Sequence, residues 1–181
     1  KGFKFVPGQF IEITLNKDAY PFSIASSLKE EDLMLTTRMR PKSKFKKTLG
    51  KLKIGTKMKI EGPFGQFVLH QNKKIPAVFL AGGIGITPFR SIIKTFPNRK
   101  ITLFHSNRKK KDAPFFDELK NLESKGFKII ATTTREPVRQ AQGKSRKHIS
   151  PKMLKDNVKD WRKAIYYAVG STGFVQSMTD M

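Results

Sequence analysis

Residues 77–81, Ala-Val-Phe-Leu-Ala, form an unbroken apolar run, and two glycines follow at once. A strand with no polar side to offer water must be buried on both faces, which a sheet covered by helices above and below provides. The sequence beyond the run agrees. The pattern predicts a helix over 88–95, a strand over 101–105, a helix over 113–124, a strand over 128–134, a helix over 151–156, a strand over 164–169 and a last helix from Thr172. Strands and helices in alternation build βα units on a parallel sheet. Ser150 before Pro151, and Thr87 before Pro88, each read as a hydroxyl N-cap followed by proline at the first helical position.

Upstream the pattern is all-β. Phe10-Ile11-Glu12-Ile13-Thr14-Leu15 alternates with period two after a Pro7-Gly8 turn. Further short strands are expected at 22–25, 33–40, 57–61 and 67–69, with one short helix over 47–52. Short strands separated by turns suit a small barrel or sandwich. The change of pattern at 71–74 divides the chain into residues 1–72 and 73–181. The polar segment 139–147 reads as a mobile loop. The chain opens at Lys1 and closes at Met181 inside a helical pattern, and is expected to be a fragment.

Cysteine is absent from the 181 residues, which excludes disulfides, thiolate zinc sites, iron–sulfur clusters and cysteine nucleophiles. It also fits a reducing compartment, and the cytoplasm is the expected location. The apolar runs reach only about five residues, too short to cross a bilayer as a helix. His70, His105 and His148 show no metal-ligand spacing and read as structural, so no metal is expected.

Two loops carry the strongest chemical signal. Gly82-Gly83-Ile84-Gly85-Ile86-Thr87-Pro88 joins the buried strand to a helix, and Gly170-Ser171-Thr172-Gly173 joins the last strand to the last helix. Glycine lets backbone approach a ligand closely, and a helix N-terminus offers free N–H groups and a positive dipole end, which suit a phosphate. The spacing is not Gly-x-Gly-x-x-Gly and no lysine follows as in a triphosphatase loop. A tight strand-to-helix turn with no ligand accounts for one such loop equally well. Two at the carboxyl ends of parallel strands point to a ligand across the sheet crest.

In this order the motifs resemble those of the ferredoxin–NADP reductase superfamily, the flavin-plus-nicotinamide reductases. The resemblance is carried by Pro7-Gly8-Gln9-Phe10, Tyr20-Pro21-Phe22-Ser23-Ile24-Ala25-Ser26, Gly62-Pro63-Phe64-Gly65-Gln66-Phe67, the glycine loop to Pro88, and the segment 167–178. It implies an FAD-binding antiparallel β-barrel, its first strand missing, over residues 1–72. A Rossmann-like α/β domain binding NADPH or NADH, its C-terminus truncated, would follow over 73–181.

The resemblance assigns roles by position. Phe22 would pack on the isoalloxazine, and the Ser23 hydroxyl would lie near flavin N5 as the catalytic group. Tyr20 and Pro21 complete that signature, Tyr20 standing where the family has Arg or His. Thr37, Arg38 and Met39 would touch the flavin from the next strand, and Lys47 and Thr48, at a helix start, would hold its pyrophosphate. Gly82, Gly83, Gly85, Thr87 and Pro88, with Gly170, Ser171 and Thr172, would bracket the nicotinamide nucleotide. Val169 stands where the family has Cys. Arg108, Thr134 and Arg135 would face the adenosine ribose. Cations with no acid at those strand ends favour NADPH.

The function so implied is an FAD-dependent NAD(P)H oxidoreductase that passes hydride to flavin and electrons to an acceptor such as ferredoxin or flavodoxin. Residues 33–60 hold ten Lys or Arg and no acid, within a net charge of +23. Such a face suits an acidic redox protein, and is equally a solvated surface without a partner. An electron-transfer subunit of a larger, ferric-reductase-like complex is the alternative, because Tyr-Pro-Phe-Ser approaches that branch's His-Pro-Phe-Ser. A basic nucleic-acid-binding protein is a third reading, disfavoured by the few aromatics among the cations, so no nucleic acid is expected.

Overall fold

The computed structural model of the chain describes residues 2–135, 138–140, 143–145 and 148–181. β1 (Phe10–Leu15) is central in an antiparallel sheet of order β2-β1-β3, with β2 at Asp18–Ser23 and β3 at Lys59–Phe64. Its alternation puts Ile11 and Ile13 inward, against Phe22, Ile24 and Phe45. Phe45 is the buried residue of α1 (Lys44–Leu49).

Three details depart from the sequence pattern. Asn16 and Lys17 both take positive φ, 51° and 71°, and turn β1 directly into β2, so the second strand begins at Asp18. That two-residue hairpin favours glycine or asparagine, and the lysine hid it. Residues 33–40 form no ladder beyond a single bridge, Ile24 to Leu35, and 67–69 form none. Instead Phe67 and Leu69 turn into the core of the second layer. α1 starts three residues earlier than expected because Ser43 caps it, accepting from the Lys46 amide at 3.3 Å.

The second layer is the parallel sheet expected. It orders β6-β5-β4-β9, with β4 at Ala77–Gly82, β5 at Ile101–Asn107, β6 at Phe127–Thr133 and β9 at Ile165–Val169. One face of β4 packs Phe79 and Ala81 against α2 (Thr87–Thr95) and Leu119 of α3 (Phe116–Lys120). The other packs Val78 and Leu80 against Leu154 of α4 (Pro151–Asn157) and Phe174 of α5 (Thr172–Thr179). Within 139–147, β7 (Val138–Gln140) pairs with β8 (Gly143–Ser145), correcting the loop expectation there. Residues 141, 142, 146 and 147 lie outside those described. α3 is far shorter than 113–124, because Phe115 sits at φ +58° and starts the helix late.

Of the two hydroxyl caps, Ser150 holds, accepting from Met153 N at 3.4 Å. Thr87 does not. A 3-10 turn, Gly83–Ile86, runs straight into α2, so Thr87 is already helical and its hydroxyl donates to the Ile84 carbonyl at 2.7 Å.

The joint between the layers is built on Arg90 of α2, which is 2% exposed. All five of its N–H donors are used. Nη1 donates to the Ala25 carbonyl at 2.7 Å and to Glu30 at 3.1 Å. Nη2 donates to Glu30 at 2.8 Å and Glu118 at 2.7 Å, and Nε donates to Glu118 at 2.8 Å. Lys94 reaches the same two carboxylates at 2.8 and 2.7 Å. The Phe115 ring lies 5.1 Å beneath the guanidinium. The Arg90 hydrogen bonds hold Glu30 well below the ordinary carboxylate range, despite partial burial that opposes it.

Lysine cannot reproduce a five-donor fork. Replacing Arg90 by Lys is therefore expected to cost about 3 kcal/mol, as breaking a buried ion pair does. Urea unfolding of parent and variant measures this, and a loss below about 1 kcal/mol would contradict the assigned joint.

Candidate functional site

From β4 the chain runs outward through β5 to β6 and then crosses back to β9 on the other side of β4, so the adjoining ends of β4 and β9 form the switch point of the sheet. A cavity of about 840 Å³ opens there. Gly82, Gly83, Gly85, Thr87 and Pro88 line it from the first glycine loop, and Gly170 and Ser171 from the second. From the antiparallel layer come Pro21, Phe22, Ser23, Thr37 and Arg38. Arg108 and Thr134 complete the expected set from the ends of β5 and β6. The structure thus gathers residues predicted from motifs far apart in sequence.

Six expected residues stand outside the lining. Tyr20 stacks on Phe45, ring centroids 4.1 Å apart. Met39 is exposed, and Thr172 lies in the first turn of α5. Lys47 and Thr48 fall late in α1 rather than at its start, and Lys46 lines the cavity instead, its Nζ donating to the Arg38 carbonyl at 2.7 Å. Arg135 is exposed, though its amide donates to the Arg108 carbonyl at 2.9 Å and so keeps the two arginines side by side. Phe22 belongs to the core and also lines the cavity.

The glycines divide by function. A Cβ on Gly85 would lie 2.3 Å from the Val169 carbonyl oxygen, and one on Gly82 or Gly170 would strike the Phe174 ring at 2.8 or 2.6 Å. These three make room for protein. Gly83 differs: its φ is +57°, and a Cβ there would meet nothing nearer than Arg38 Nη2 at 3.9 Å and Asn107 Oδ1 at 4.0 Å. Its open side faces the cavity, where backbone can meet a ligand.

His105 anchors this loop from below. It is fully buried, and its Nε2 donates to the Gly83 carbonyl at 3.0 Å. Burial pushes its pKa down to about 4, against the opposing effect of that hydrogen bond, so it is neutral at pH 7. It serves structure, as its sequence context suggested.

Arg38, Arg40, Lys46 and Arg108 line the cavity, and among the described residues no acid does. Burial and the neighbouring charge of Arg40 lower the Lys46 pKa. Crowded like charges with no counter-charge suit an anionic ligand. Sequence reasoning missed Arg40, Lys46 and Asn107 here. Asn107 directly precedes Arg108 at the strand end, and that adjacency was the available signal.

Comparison with known proteins agrees with this geometry. The oxidoreductase NAD-binding domain family matches residues 79–180. Flavohemoprotein A of Dictyostelium discoideum is 34% identical over 110 residues, 58% of this chain and 28% of that protein. The glycine betaine monooxygenase reductase subunit of Pseudomonas aeruginosa is 27% identical over 188 aligned residues, 97% of this chain and 51% of the relative. The chain therefore spans between about a quarter and a half of these relatives. A ferredoxin NADP+ reductase from Neisseria gonorrhoeae, solved with bound FAD and NADP, superposes with a TM-score of 0.78 at 22% identity, covering 99% of this chain and 80% of that one. The chain belongs to the oxidoreductase NAD-binding domain family and has the two-layer fold of the ferredoxin–NADP reductases its motifs resemble. Among the described residues, no helix is long and apolar enough to cross a membrane.

Two predictions follow from the loop. Gly85→Ala forces a Cβ into backbone and should cost about 3 kcal/mol or more, whereas Gly83→Ala should cost only the left-handed conformation, roughly 1–2 kcal/mol. Unfolding midpoints of the two variants test the ranking, and equal losses would refute the division of roles. The second concerns pH. The folded His105 pKa lies below the ordinary 6.5, so its contribution is complete above pH 6.5 and is lost as pH falls toward 4. Across that window the stability of the parent should drop relative to His105→Gln, and parallel curves would exclude the effect.

Proposed function

We propose that the chain is the flavin- and nicotinamide-binding part of an NAD(P)H oxidoreductase. Residues 1–72 would hold FAD and residues 73–181 the dinucleotide. The single observation that carries this reading is the cavity: cationic, free of acids among the described residues, and shared between a Pro-Phe-Ser strand end and two glycine loops at the switch point.

In this reading Phe22 supplies an apolar face to the flavin ring, and the Ser23 hydroxyl donates toward its reducible nitrogen. Arg38 and Lys46 neutralise diphosphate charge, with Tyr20, Thr37, Met39, Lys47 and Thr48 at the margin of the flavin site. The open side of Gly83 admits the dinucleotide backbone, and Thr87, Pro88, Ser171 and Thr172 frame its nicotinamide end. Arg108, with Thr134 and Arg135 beside it, reads the ribose 2′-phosphate and favours NADPH. FAD, when bound, takes two electrons as hydride and releases them singly or together. Exposed Met39, Met58 and Ile54 interrupt the basic segment 38–59, which would receive an acidic redox partner such as ferredoxin or flavodoxin in the cytoplasm. Several of the relatives, the glycine betaine monooxygenase reductase subunit among them, are themselves reductase components of oxygenases, which supports a reductase component serving a partner protein.

The purified chain should take up FAD, gain absorption near about 450 nm, and bleach anaerobically on addition of NADPH. Ser23→Ala should slow the bleaching without releasing the flavin. Arg108→Ala should weaken NADPH by roughly tenfold or more and leave NADH nearly unchanged, since one charge-assisted bond is lost. Failure to take up FAD, or an equal effect on both nucleotides, would overturn the reading or its NADPH assignment respectively.

A further inference from the structure

Asn107 ends β5 and lines the cavity. It is 5% exposed, yet neither its Nδ2 nor its Oδ1 has a hydrogen-bond partner within the protein. An unpaired buried polar group costs roughly 1–3 kcal/mol, so folding alone gains nothing from a carboxamide at this position. The backbone around it is firmly placed. The Thr134 amide donates to the Asn107 carbonyl at 2.9 Å, which continues the β5–β6 ladder past the strand ends. A Cβ on Gly83 would lie 4.0 Å from Oδ1 and 3.9 Å from Arg38 Nη2. The amide therefore faces the open side of Gly83, in the cavity that Arg38 and Arg108 also line.

We propose that Asn107 binds a ribose hydroxyl of the dinucleotide, the adenosine 3′-hydroxyl. This rests on the reading of the cavity as a nicotinamide dinucleotide site. The chemistry of the carboxamide selects the group. It presents N–H donors on one side and an acceptor on the other. A phosphate at neutral pH only accepts, so it would leave Oδ1 unpaired and repelled. A hydroxyl both donates and accepts, and satisfies the pair. The adenine edge also offers both, but it lies a full ribose beyond the diphosphate that the open side of Gly83 would admit. With a phosphate on the 2′ oxygen facing Arg108, the 3′-hydroxyl is the one left for the neighbouring residue. A neutral amide on that hydroxyl grips NADH and NADPH alike, while the choice between them falls to Arg108.

The test pairs a change in the protein with a change in the ligand. Dissociation constants are measured by calorimetry for the parent and Asn107→Leu, each with NAD+ and with an NAD+ analogue lacking the adenosine 3′-hydroxyl. Removing either partner should weaken binding about tenfold, and removing both should cost little more than removing one. Losses that multiply would mean that the two groups do not meet, and would overturn the proposal. Should Asn107→Leu fail to fold, the parent alone still decides, because equal affinity for the two ligands refutes the contact. If the parent binds neither NAD+ nor NADP+, the dinucleotide reading itself falls, an outcome separate from the failure of Asn107 alone.

Discussion

The five hydrogen bonds of Arg90 hold the two halves of this molecule in register. A buried guanidinium is costly to desolvate, and the cost is met only if every donor finds an acceptor. Here the acceptors come from three places: the carbonyl of Ala25, Glu30 beyond it in the antiparallel layer, and Glu118 on α3. Ala25 lies two residues after Ser23, and Arg90 lies two residues after Pro88. Both Ser23 and Pro88 line the cavity. The network thus sets the separation of the two walls between which any ligand must sit. Ser91 adds to it, its hydroxyl donating to the Ser26 carbonyl at 2.5 Å. So does the aromatic group beneath, where Phe67 from the first half meets Phe89 and Tyr167 with ring centroids 5.6 Å apart in each pair.

The glycine loops show that one motif can serve packing and binding at once. Gly82, Gly85 and Gly170 exist for close approach of protein to protein, bringing β4, the loop and α5 together around the Phe174 ring and the Val169 carbonyl. That tight seam leaves Gly83 as the open position, held in its left-handed conformation by the His105 hydrogen bond. Close packing of protein on protein thus accounts for the glycine at three positions, and the left-handed backbone for the fourth.

Much of this was legible in the sequence, for a physical reason. The apolar run 77–81, short and closed by two glycines, reads as a doubly buried strand, and period-two alternation at 10–15 as a half-buried one. What was not legible depends on partners distant along the chain. Every residue of α2 from Thr87 to Ile93 is buried, and its polar Arg90 and Ser91 face the other layer. Nothing local separates Arg90 from the other 36 basic residues. The Asn16-Lys17 hairpin and the left-handed Phe115 each break a local preference that tertiary packing overrides. At the site, the motif residues were found where backbone geometry was demanded, at Gly83, Ser23 and Gly170. Arg40 and Lys46 escaped because they reach the cavity only when the two layers meet, and Asn107 because its adjacency to Arg108 was passed over.

The charge of the chain takes on a different sense once it is placed. A net +23 spread over a surface would be a matter of solubility. Four of these cations instead line one cavity, where like charges repel. At Lys46 the pKa is lowered, first by burial and then by the charge of Arg40. An anion that binds between them recovers that repulsion as affinity, and because it binds only the folded chain it returns the same free energy as stability. The carboxylates follow the opposite arrangement. Glu30 and Glu118 stand at the joint, spent on Arg90 and Lys94, rather than at the cavity, where they would repel a phosphate. Among the described residues, one sign of charge is used in the joint with its opposite and is left unmatched at the cavity. Such a partition would favour an anion there before any single hydrogen bond to it is counted.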